Sequence, residues 1–267
     1  MKTRAITGFF FVAVMLASVL LGKYAFTLFF IILSGLCVEE FYRLVTTDSA
    51  KPQTRWGLVL TISIYLPLSA YYLLGEPLNN LLVCIPISIF IIIAELYRKH
   101  IYPFNNIAIT LFGVIFAGLP FCFFYAMAFT DGDYSAHYPL AFLILLWSND
   151  TGAYLFGVKL GKHRLFERHS PKKTWEGFIG GMITSLIAAL IISNYFHDVS
   201  LIHWMVISSI IVIAGTFGDL SESMLKRSHN TKDSGSLLPG HGGLLDRFDG
   251  LLLAAPLVFV YLQFVHN

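Results

Sequence analysis

Long apolar runs, separated by short polar segments, make up most of this chain. Nine runs of about 16 to 23 residues lie at about 5–22, 24–42, 57–75, 79–97, 107–129, 138–157, 176–193, 201–220 and 250–265. A helix of about 20 apolar residues crosses roughly 30 Å of hydrocarbon. The pattern therefore predicts an all-α, polytopic integral membrane protein with about nine transmembrane helices. The first run is interpreted as a retained span and not a signal peptide, because another apolar run follows it directly.

Composition points the same way. Of the 267 residues, 56% are hydrophobic and only 13% are charged, whereas a soluble domain carries about 25% charged residues. The sequence predicts a single membrane domain, 1–267, with N-terminal spans in 1–130 and catalytic spans in 131–267. Cytoplasmic loops are expected at 158–175 and 221–249. The lack of a long soluble segment favours a bacterial inner membrane.

Lysine and arginine positions predict the sidedness of the spans. Seventeen of the 18 cations fall at the N-terminus or in alternate connections, and only Lys23 lies elsewhere. Because cytoplasmic loops are enriched in Lys and Arg, the N-terminus is predicted to be cytoplasmic and the C-terminus outside. Loops 158–175 and 221–249 hold ten of these cations, mixed with carboxylates, glycines and hydroxyls. Orientation alone would not require that mixture.

Asp150 and Asp219 are carboxylates within predicted spans, where a charge costs roughly 2.5–3.5 kcal/mol at mid-helix on insertion scales. Asp150 is in the middle of the sixth run and Asp219 is near the end of the eighth. A hydrogen bond between helices is the alternative role for Asp150. Asp219 is expected at a helix C-terminus, where the helix dipole disfavours a carboxylate.

Asp246 and Asp249 begin the ninth span at i, i+3 spacing. Capping the helix N-terminus would explain one of them. A cation shared by Asp219 and Asp246 would relieve the cost of Asp219, and carboxylates with few other protein ligands suit Mg²⁺, which takes further ligands from water and substrate phosphates. The sequence therefore predicts a metal pair, Asp219 and Asp246, holding one cation or two adjoining cations.

The longest polar stretch, 223–249, carries features of a phosphate site. Its cations are Lys226, Arg227, Lys232 and Arg247. A glycine-rich turn, PGHGG at 239–243, precedes the ninth span, and backbone N–H groups of such turns can converge on an anion. A second basic turn, SPKKTWEG at 170–177, precedes the seventh span.

The run from Ser223 to Asp249, SMLKRSHNTKDSGSLLPGHGGLLDRFD, resembles the signature of the phosphatidate cytidylyltransferases, or CDP-diacylglycerol synthases. WSNDTGAY at 147–154 and SPKKTWEG at 170–177 are similar to two other blocks of that family. The resemblance covers the C-terminal half, while residues 1–130 resemble the family in hydropathy only. It implies transfer of CMP from CTP to phosphatidic acid, giving CDP-diacylglycerol and pyrophosphate. It also implies Mg²⁺, a homodimer in the bilayer and no nucleic-acid partner.

On this reading the site residues take the following roles. The metal ligands are Asp219 and Asp246. The residues expected to bind triphosphate or the lipid head group are Lys226, Arg227, Lys232, Arg247, Lys172 and Lys173. The residues expected to position metal, cations or water are Asp150, Asp233 and Asp249. His241 is a donor to phosphate or a general acid, and Gly242 and Gly243 supply backbone N–H groups. No serine or cysteine nucleophile is needed, because the lipid phosphate attacks.

Two alternatives remain open from the sequence. Another CTP-using membrane enzyme, such as a polyprenol kinase or a synthase of archaeal ether lipids, would share the chemistry but not the full signature. A transporter with Asp150 on an ion path belongs to a different class, which broken helices and paired repeats would favour. The sequence contains no evident internal repeat.

Overall fold

The computed structural model describes residues 2–237 and 242–266, with side chains from residue 7 onward. Every apolar run is largely helical. The helices are α1 Lys2–Leu20, α2 Lys23–Val45, α3 Thr54–Leu74, α4 Cys84–Tyr97, α5 Pro103–Gly113, α6 Leu119–Met127, α7 His137–Leu160, α8 Trp175–Ile192, α9 Leu201–Ser228 and α10 Leu245–His266. A 3₁₀ segment, Leu78–Val83, leads into α4, and a π-helical turn, Val114–Gly118, joins α5 to α6.

Among the described residues, eight helical segments are long and apolar enough to cross a bilayer. They match the second to ninth predicted spans, with Leu78–Tyr97 and Pro103–Met127 each acting as one span. The first predicted span falls on α1, whose apolar part, Thr7–Leu20, is shorter. The prediction of a helical, polytopic membrane protein is confirmed. The count of nine and the sidedness of the termini stay predictions.

Several helices extend beyond the predicted spans. The helix α9 has 28 residues, or about 42 Å at 1.5 Å per residue, which exceeds the thickness of the hydrocarbon. Asp219 therefore lies well before the helix end at Ser228, and the argument that the helix dipole disfavours its carboxylate does not hold. The helix α10 begins at Leu245 instead of residue 250, so the predicted loop 221–249 shortens at both ends.

The described residues also include a β-hairpin that the sequence did not predict. Strand β1, Arg164–Phe166, pairs antiparallel with β2, Ser170–Thr174, to form a small hairpin within the predicted loop 158–175. The all-α description therefore holds for the spans but not for this connection.

The helices form two compact units. The first contains residues 1–134 and 233–246, and the second contains residues 135–232 and 247–267. The described residues of the segment 233–246 thus pack with the N-terminal helices, although they follow α9 in sequence. The predicted division into N-terminal and catalytic spans stays a prediction.

Aromatic packing around α2 forms the core of the first unit. Phe26 and Phe30 are fully buried, and their rings lie 6.1 and 4.9 Å, centre to centre, from that of Phe124 on α6. A polar network adds to this core: the buried Glu95 accepts hydrogen bonds from Gln53 at 2.7 Å and from Asn106 at 2.6 Å. These bonds satisfy a carboxylate that would be costly to bury alone.

Small residues let α7 and α8 approach closely in the second unit. A side chain added at Gly181 of α8 would place Cβ 2.8 Å from the backbone oxygen of Asn149 on α7. Gly152 of α7 faces Thr184 and the backbone of Gly180 in the same way. Helices in lipid associate through such small-residue contacts, because burial from water does not drive them together. This packing holds Asp150, which follows Asn149, at a defined position in the second unit.

Candidate active site

The second unit brings four acidic side chains and two lysines together. The carboxylates of Asp219, Glu222 and Asp249 each offer an oxygen within 4.8 Å of the other two. Asp150 is close enough for the charges of Asp219 and Lys173 to act on it. Asp249 is likewise close enough to interact electrostatically with Asp219, Asp150 and Lys173. A single charged cluster therefore joins α7, β2, α9 and α10.

Two ion pairs balance part of this negative charge. Lys173 Nζ lies 2.6 Å from Asp219 Oδ2, and Lys226 Nζ lies 2.5 Å from Glu222 Oε2. Ser223 donates a hydrogen bond of 3.2 Å to the other oxygen of Asp219. Formally, four carboxylates minus two lysines leave two negative charges. A divalent cation would neutralise that remainder.

Close helix packing places Asp219 beside Asp249. A Cβ built on Gly218 of α9 would lie 2.3 Å from the backbone oxygen of Asp249 on α10, so any larger residue would push the helices apart. One turn earlier, Gly215 faces the backbone of Gly250 at 3.5 Å. The glycine before Asp219 thus has a steric purpose, and the two carboxylates follow from that contact.

The β1–β2 hairpin positions Lys173. Glu176, in the first turn of α8, accepts backbone hydrogen bonds from Lys162 at 3.1 Å and from His163 at 3.2 Å. Thr174 caps the same helix by accepting from Gly177 N at 3.2 Å. Neighbouring strand residues point to opposite sides, so Lys173 is half-buried against Asp219 whereas Lys172 is exposed.

Asp246 has a different environment, in the first unit. Its Oδ2 accepts hydrogen bonds from the backbone N–H of Gly243 at 2.8 Å and of Ser234 at 3.0 Å. Gly242 beside it has φ +82°, and a Cβ there would lie 2.7 Å from the same oxygen. Asp246 therefore organises the turn before α10. The predicted metal pair of Asp219 and Asp246 stays a prediction.

Four of the other predicted substrate-binding residues are exposed, each within its own unit. Arg227, Lys232, Asp233 and Arg247 are all exposed. Arg227 donates a 3.4 Å hydrogen bond to the backbone oxygen of Thr231. His241 lies outside the described residues. Gly243 is buried, and a Cβ added to it would meet Glu40 and Ser234.

The structure adds three residues that the sequence prediction of the site did not include: Glu222 in the charged cluster of the second unit, and Glu40 and Ser234 around Asp246 in the first unit. Glu222 could have been found, because it is placed i+3 from Asp219 on one helix and four residues before Lys226. Glu40 was detectable only as a charge inside the apolar run of α2. Ser234 carries no signal of its own in the sequence. Its importance depends on the fold of residues 233–246.

Comparison with known proteins identifies the family. Residues 2–265 match the model of the Cytidylyltransferase family. A protein of Staphylococcus haemolyticus named phosphatidate cytidylyltransferase is 35% identical over 98% of this chain and 99% of its own length. The protein of that name from Bacillus subtilis is 31% identical over 98% of this chain and 97% of its own length. The resemblance seen in three sequence blocks thus extends over almost the whole chain, including residues 1–130, and the chain belongs to the Cytidylyltransferase family.

Proposed function

We propose that this protein is an integral membrane CTP:phosphatidate cytidylyltransferase of phospholipid biosynthesis. It transfers CMP from CTP to phosphatidic acid and produces CDP-diacylglycerol and pyrophosphate. The observation that carries this proposal is the match of nearly the whole chain to proteins of that name. The cluster of four carboxylates and two lysines on α7, β2, α9 and α10 supports it, because carboxylates that can hold a divalent cation and lysines beside them suit two anionic reactants.

The reaction requires alignment and charge neutralisation more than covalent chemistry by the protein. An oxygen of the lipid phosphate forms a bond to the α-phosphorus of CTP. The bond from that phosphorus to the bridging oxygen of the β-phosphate breaks, and pyrophosphate leaves with the electron pair. Lys173 and Lys226 would help to neutralise phosphate charge, and the exposed Arg227, Lys232, Lys172 and Arg247 would bind the triphosphate or the lipid head group. Positioned cations of this kind stabilise phosphoryl-transfer transition states.

The donor set of the second unit suits Mg²⁺. Asp219, Glu222 and Asp249 are hard oxygen donors close to one another, and the cluster leaves two formal negative charges. A bound Mg²⁺ supplies Lewis-acid polarisation of phosphate oxygens and neutralises developing charge. Asp246 remains a proposed ligand on the sequence argument alone. Asp150 is expected to orient Lys173 and the neighbouring carboxylates.

An apolar groove is proposed to hold an acyl chain of phosphatidic acid. A cavity of about 470 Å³ lies between α9 and α10 and is lined by side chains including Ile210, Phe217, Leu253 and Leu257. The groove and the acidic cluster share two helices: Phe217 lies two residues before Asp219 on α9, and Leu253 lies four residues after Asp249 on α10. A lipid whose phosphate reaches the carboxylates would have its acyl chain along this groove.

Filling the groove should therefore affect long-chain substrates selectively. Ser209 lines it and donates a 2.9 Å hydrogen bond to Met205 O. We expect Ser209→Phe to lower kcat/KM for dioleoyl phosphatidate about 10-fold, the scale of a one- to two-methylene mismatch in an apolar pocket, while dihexanoyl phosphatidate is little affected. Ser88→Phe is the matched control, because Ser88 is also half-buried and bonds to the residue four before it. Equal losses on both lipids would contradict an acyl-chain role.

Labelled CTP tests the proposed function against its alternatives. Purified protein in detergent is given phosphatidic acid, Mg²⁺ and CTP carrying label at either the α- or the γ-phosphate. A cytidylyltransferase transfers the α label into lipid and releases the γ label as pyrophosphate. Transfer of the γ label to lipid would indicate a kinase instead, and ion flux in liposomes without CTP would indicate a transporter.

The remaining assignments are also proposals. We place the enzyme in a bacterial inner membrane as a homodimer, with the N-terminus and the loops 158–175 and 221–249 in the cytoplasm, where CTP is available. The distribution of lysine and arginine supports this sidedness. Cysteine labelling from each side of the membrane at the N-terminus and in the β1–β2 hairpin tests the orientation, and crosslinking in native membranes tests the dimer.

A further inference from the structure

Glu40 is a buried carboxylate in α2 with no role in the charged cluster of the second unit. It is 8% exposed, in a helix whose other buried side chains are apolar, aromatic or small and polar. A carboxylate in such surroundings is costly unless it is fully hydrogen-bonded. Among the described residues, its hydrogen bonds come from the segment 233–246, about 200 residues away in sequence.

Glu40 joins the two ends of that segment. Its Oε1 accepts a 2.5 Å hydrogen bond from the Ser234 hydroxyl and a 2.9 Å bond from Leu245 N. Its Oε2 accepts a 2.8 Å bond from Leu244 N. The amides of Leu244 and Leu245 belong to the start of α10, where backbone N–H groups lack helical partners. A side chain from α2 thus caps α10.

The same contacts connect Glu40 to Asp246. Ser234 donates its hydroxyl to Glu40 and its backbone N–H to Asp246 Oδ2 at 3.0 Å. The Asp246 N–H in turn lies 3.4 Å from the Ser234 hydroxyl oxygen. Ser234 is therefore a bridge between a carboxylate of the N-terminal helices and one at the start of α10. Displacing Glu40 would release both partners.

The glycines of this segment are explained by the same close approach. A Cβ on Gly243 would lie 2.1 Å from both Glu40 Oε1 and the Ser234 hydroxyl, and a Cβ on Gly235 would lie 2.8 Å from Glu40 Cδ. These two glycines leave room for the Glu40 carboxylate. The sequence suggested that Gly243 serves a phosphate cradle, whereas its surroundings in the structure are filled by Glu40 and Ser234.

We propose that Glu40 is a positioning residue for cytidylyl transfer: it holds Ser234 and the first turn of α10, and through them the carboxylate of Asp246, in the orientation that turnover requires. This inference rests on the proposed function and gives the N-terminal helices a direct part in it. Glu40 acts from outside the reacting groups, so its removal should lower kcat with little change in KM for CTP.

The substitution Glu40→Gln tests the proposal. Glutamine keeps one acceptor oxygen but presents an NH₂ group to Leu244 N–H or to the donors of Oε1, so at least one donor loses its partner. We expect kcat to fall about 100-fold, the scale on which misplacement of a site by about 1 Å acts. Glu40→Asp retains the charge and should recover part of the loss. Glu39→Gln is the matched control, because the adjacent Glu39 is more exposed and pairs with Arg43 at 2.5 Å.

Hydrogen exchange provides a measurement independent of activity. In the wild type, the amides of residues 244 and 245 should be protected, and Glu40→Gln should accelerate their exchange at least 10-fold while Glu39→Gln leaves it unchanged. Wild-type kcat and unchanged exchange in Glu40→Gln would overturn the proposal. So would slow turnover in Glu40→Gln with exchange at residues 244 and 245 equal to that of the wild type.

Ser234→Ala covers the case in which Glu40→Gln fails to fold. It removes the bridging hydroxyl alone, so its kcat should fall about 10-fold, while its thermal stability should fall only by the loss of one buried hydrogen bond. When both single variants fold, the loss of kcat in the double variant should be smaller than the product of the two single losses, because both substitutions act through the same contacts. Full activity in Ser234→Ala would contradict the proposed bridge. If instead the wild type lacked cytidylyl transfer, the proposed function would fail, whereas the exchange result would still report on Glu40.

Discussion

Replacing Asp219 by asparagine should reduce cytidylyl transfer by about 1,000-fold or more. Asp219 stands at the centre of the charged cluster, since it contacts Lys173 and Ser223 and offers an oxygen within 4.8 Å of the carboxylates of Glu222 and Asp249. Asparagine keeps the size but removes the charge that would hold a divalent cation. A metal supplies several kcal/mol of transition-state stabilisation, and each 1.36 kcal/mol is worth about tenfold in rate.

Two measurements make this prediction specific. Mn²⁺ binding, followed by electron paramagnetic resonance, should weaken in Asp219→Asn even without substrate. Asp198→Asn is the control. Asp198 lies in the loop before α9, about 20 residues before Asp219 in sequence, and pairs with His137 at the start of α7. If Asp219→Asn retained more than a tenth of wild-type activity, or bound Mn²⁺ like the wild type, Asp219 would not be a metal ligand.

The dependence of activity on Mg²⁺ concentration separates the two possible sets of metal ligands, Asp219 with Asp246 or Asp219 with Glu222 and Asp249. Asp246→Asn, Asp249→Asn and Glu222→Gln would be compared at increasing Mg²⁺. If Asp219 and Asp246 hold the ion, Asp246→Asn will require the most Mg²⁺. If the cluster of the second unit holds it, Asp249→Asn and Glu222→Gln will.

Replacing Lys173 by glutamine should lower kcat/KM about 100-fold. The half-buried ammonium lies 2.6 Å from Asp219 and influences Asp150 and Asp249. Its loss leaves the carboxylates to repel one another and removes a positive charge from a site for two anionic substrates. Removal of one preorganised electrostatic group typically costs 10²- to 10³-fold in rate.

Charge and shape can be separated at this position. Lys173→Arg keeps the cation and should retain more activity than Lys173→Gln. Lys159→Gln is the control, since Lys159 is an exposed cation of the last turn of α7. Activity within threefold of the wild type in Lys173→Gln would show that the Asp219 ion pair has no part in catalysis.

The polar residues that act together could be predicted only in part. Asp150 and Asp219 were identified because carboxylates in apolar surroundings are costly and so indicate function. Asp249 was identified from its i, i+3 spacing with Asp246 and from the signature at 223–249. Their association with Lys173 depends on the β1–β2 hairpin, which has only eight strand residues and which the hydropathy pattern does not reveal. Glu222 was on the correct helical face, but only the structure places its carboxylate beside that of Asp249.

The sequence by itself determined that the protein is helical and membrane-spanning, where each helix lies to within several residues, and to which family it belongs. These properties follow from local features of the sequence. The length of each apolar run predicts a membrane-spanning helix, and the order of residues in the three motifs identifies the family. The tertiary structure alone decided that Asp249 and Glu222 meet Asp219, and that Glu40 caps α10 through the segment 233–246. Such contacts depend on glycines that let backbones approach within van der Waals distance, and on partners up to about 200 residues apart, so no local pattern encodes them.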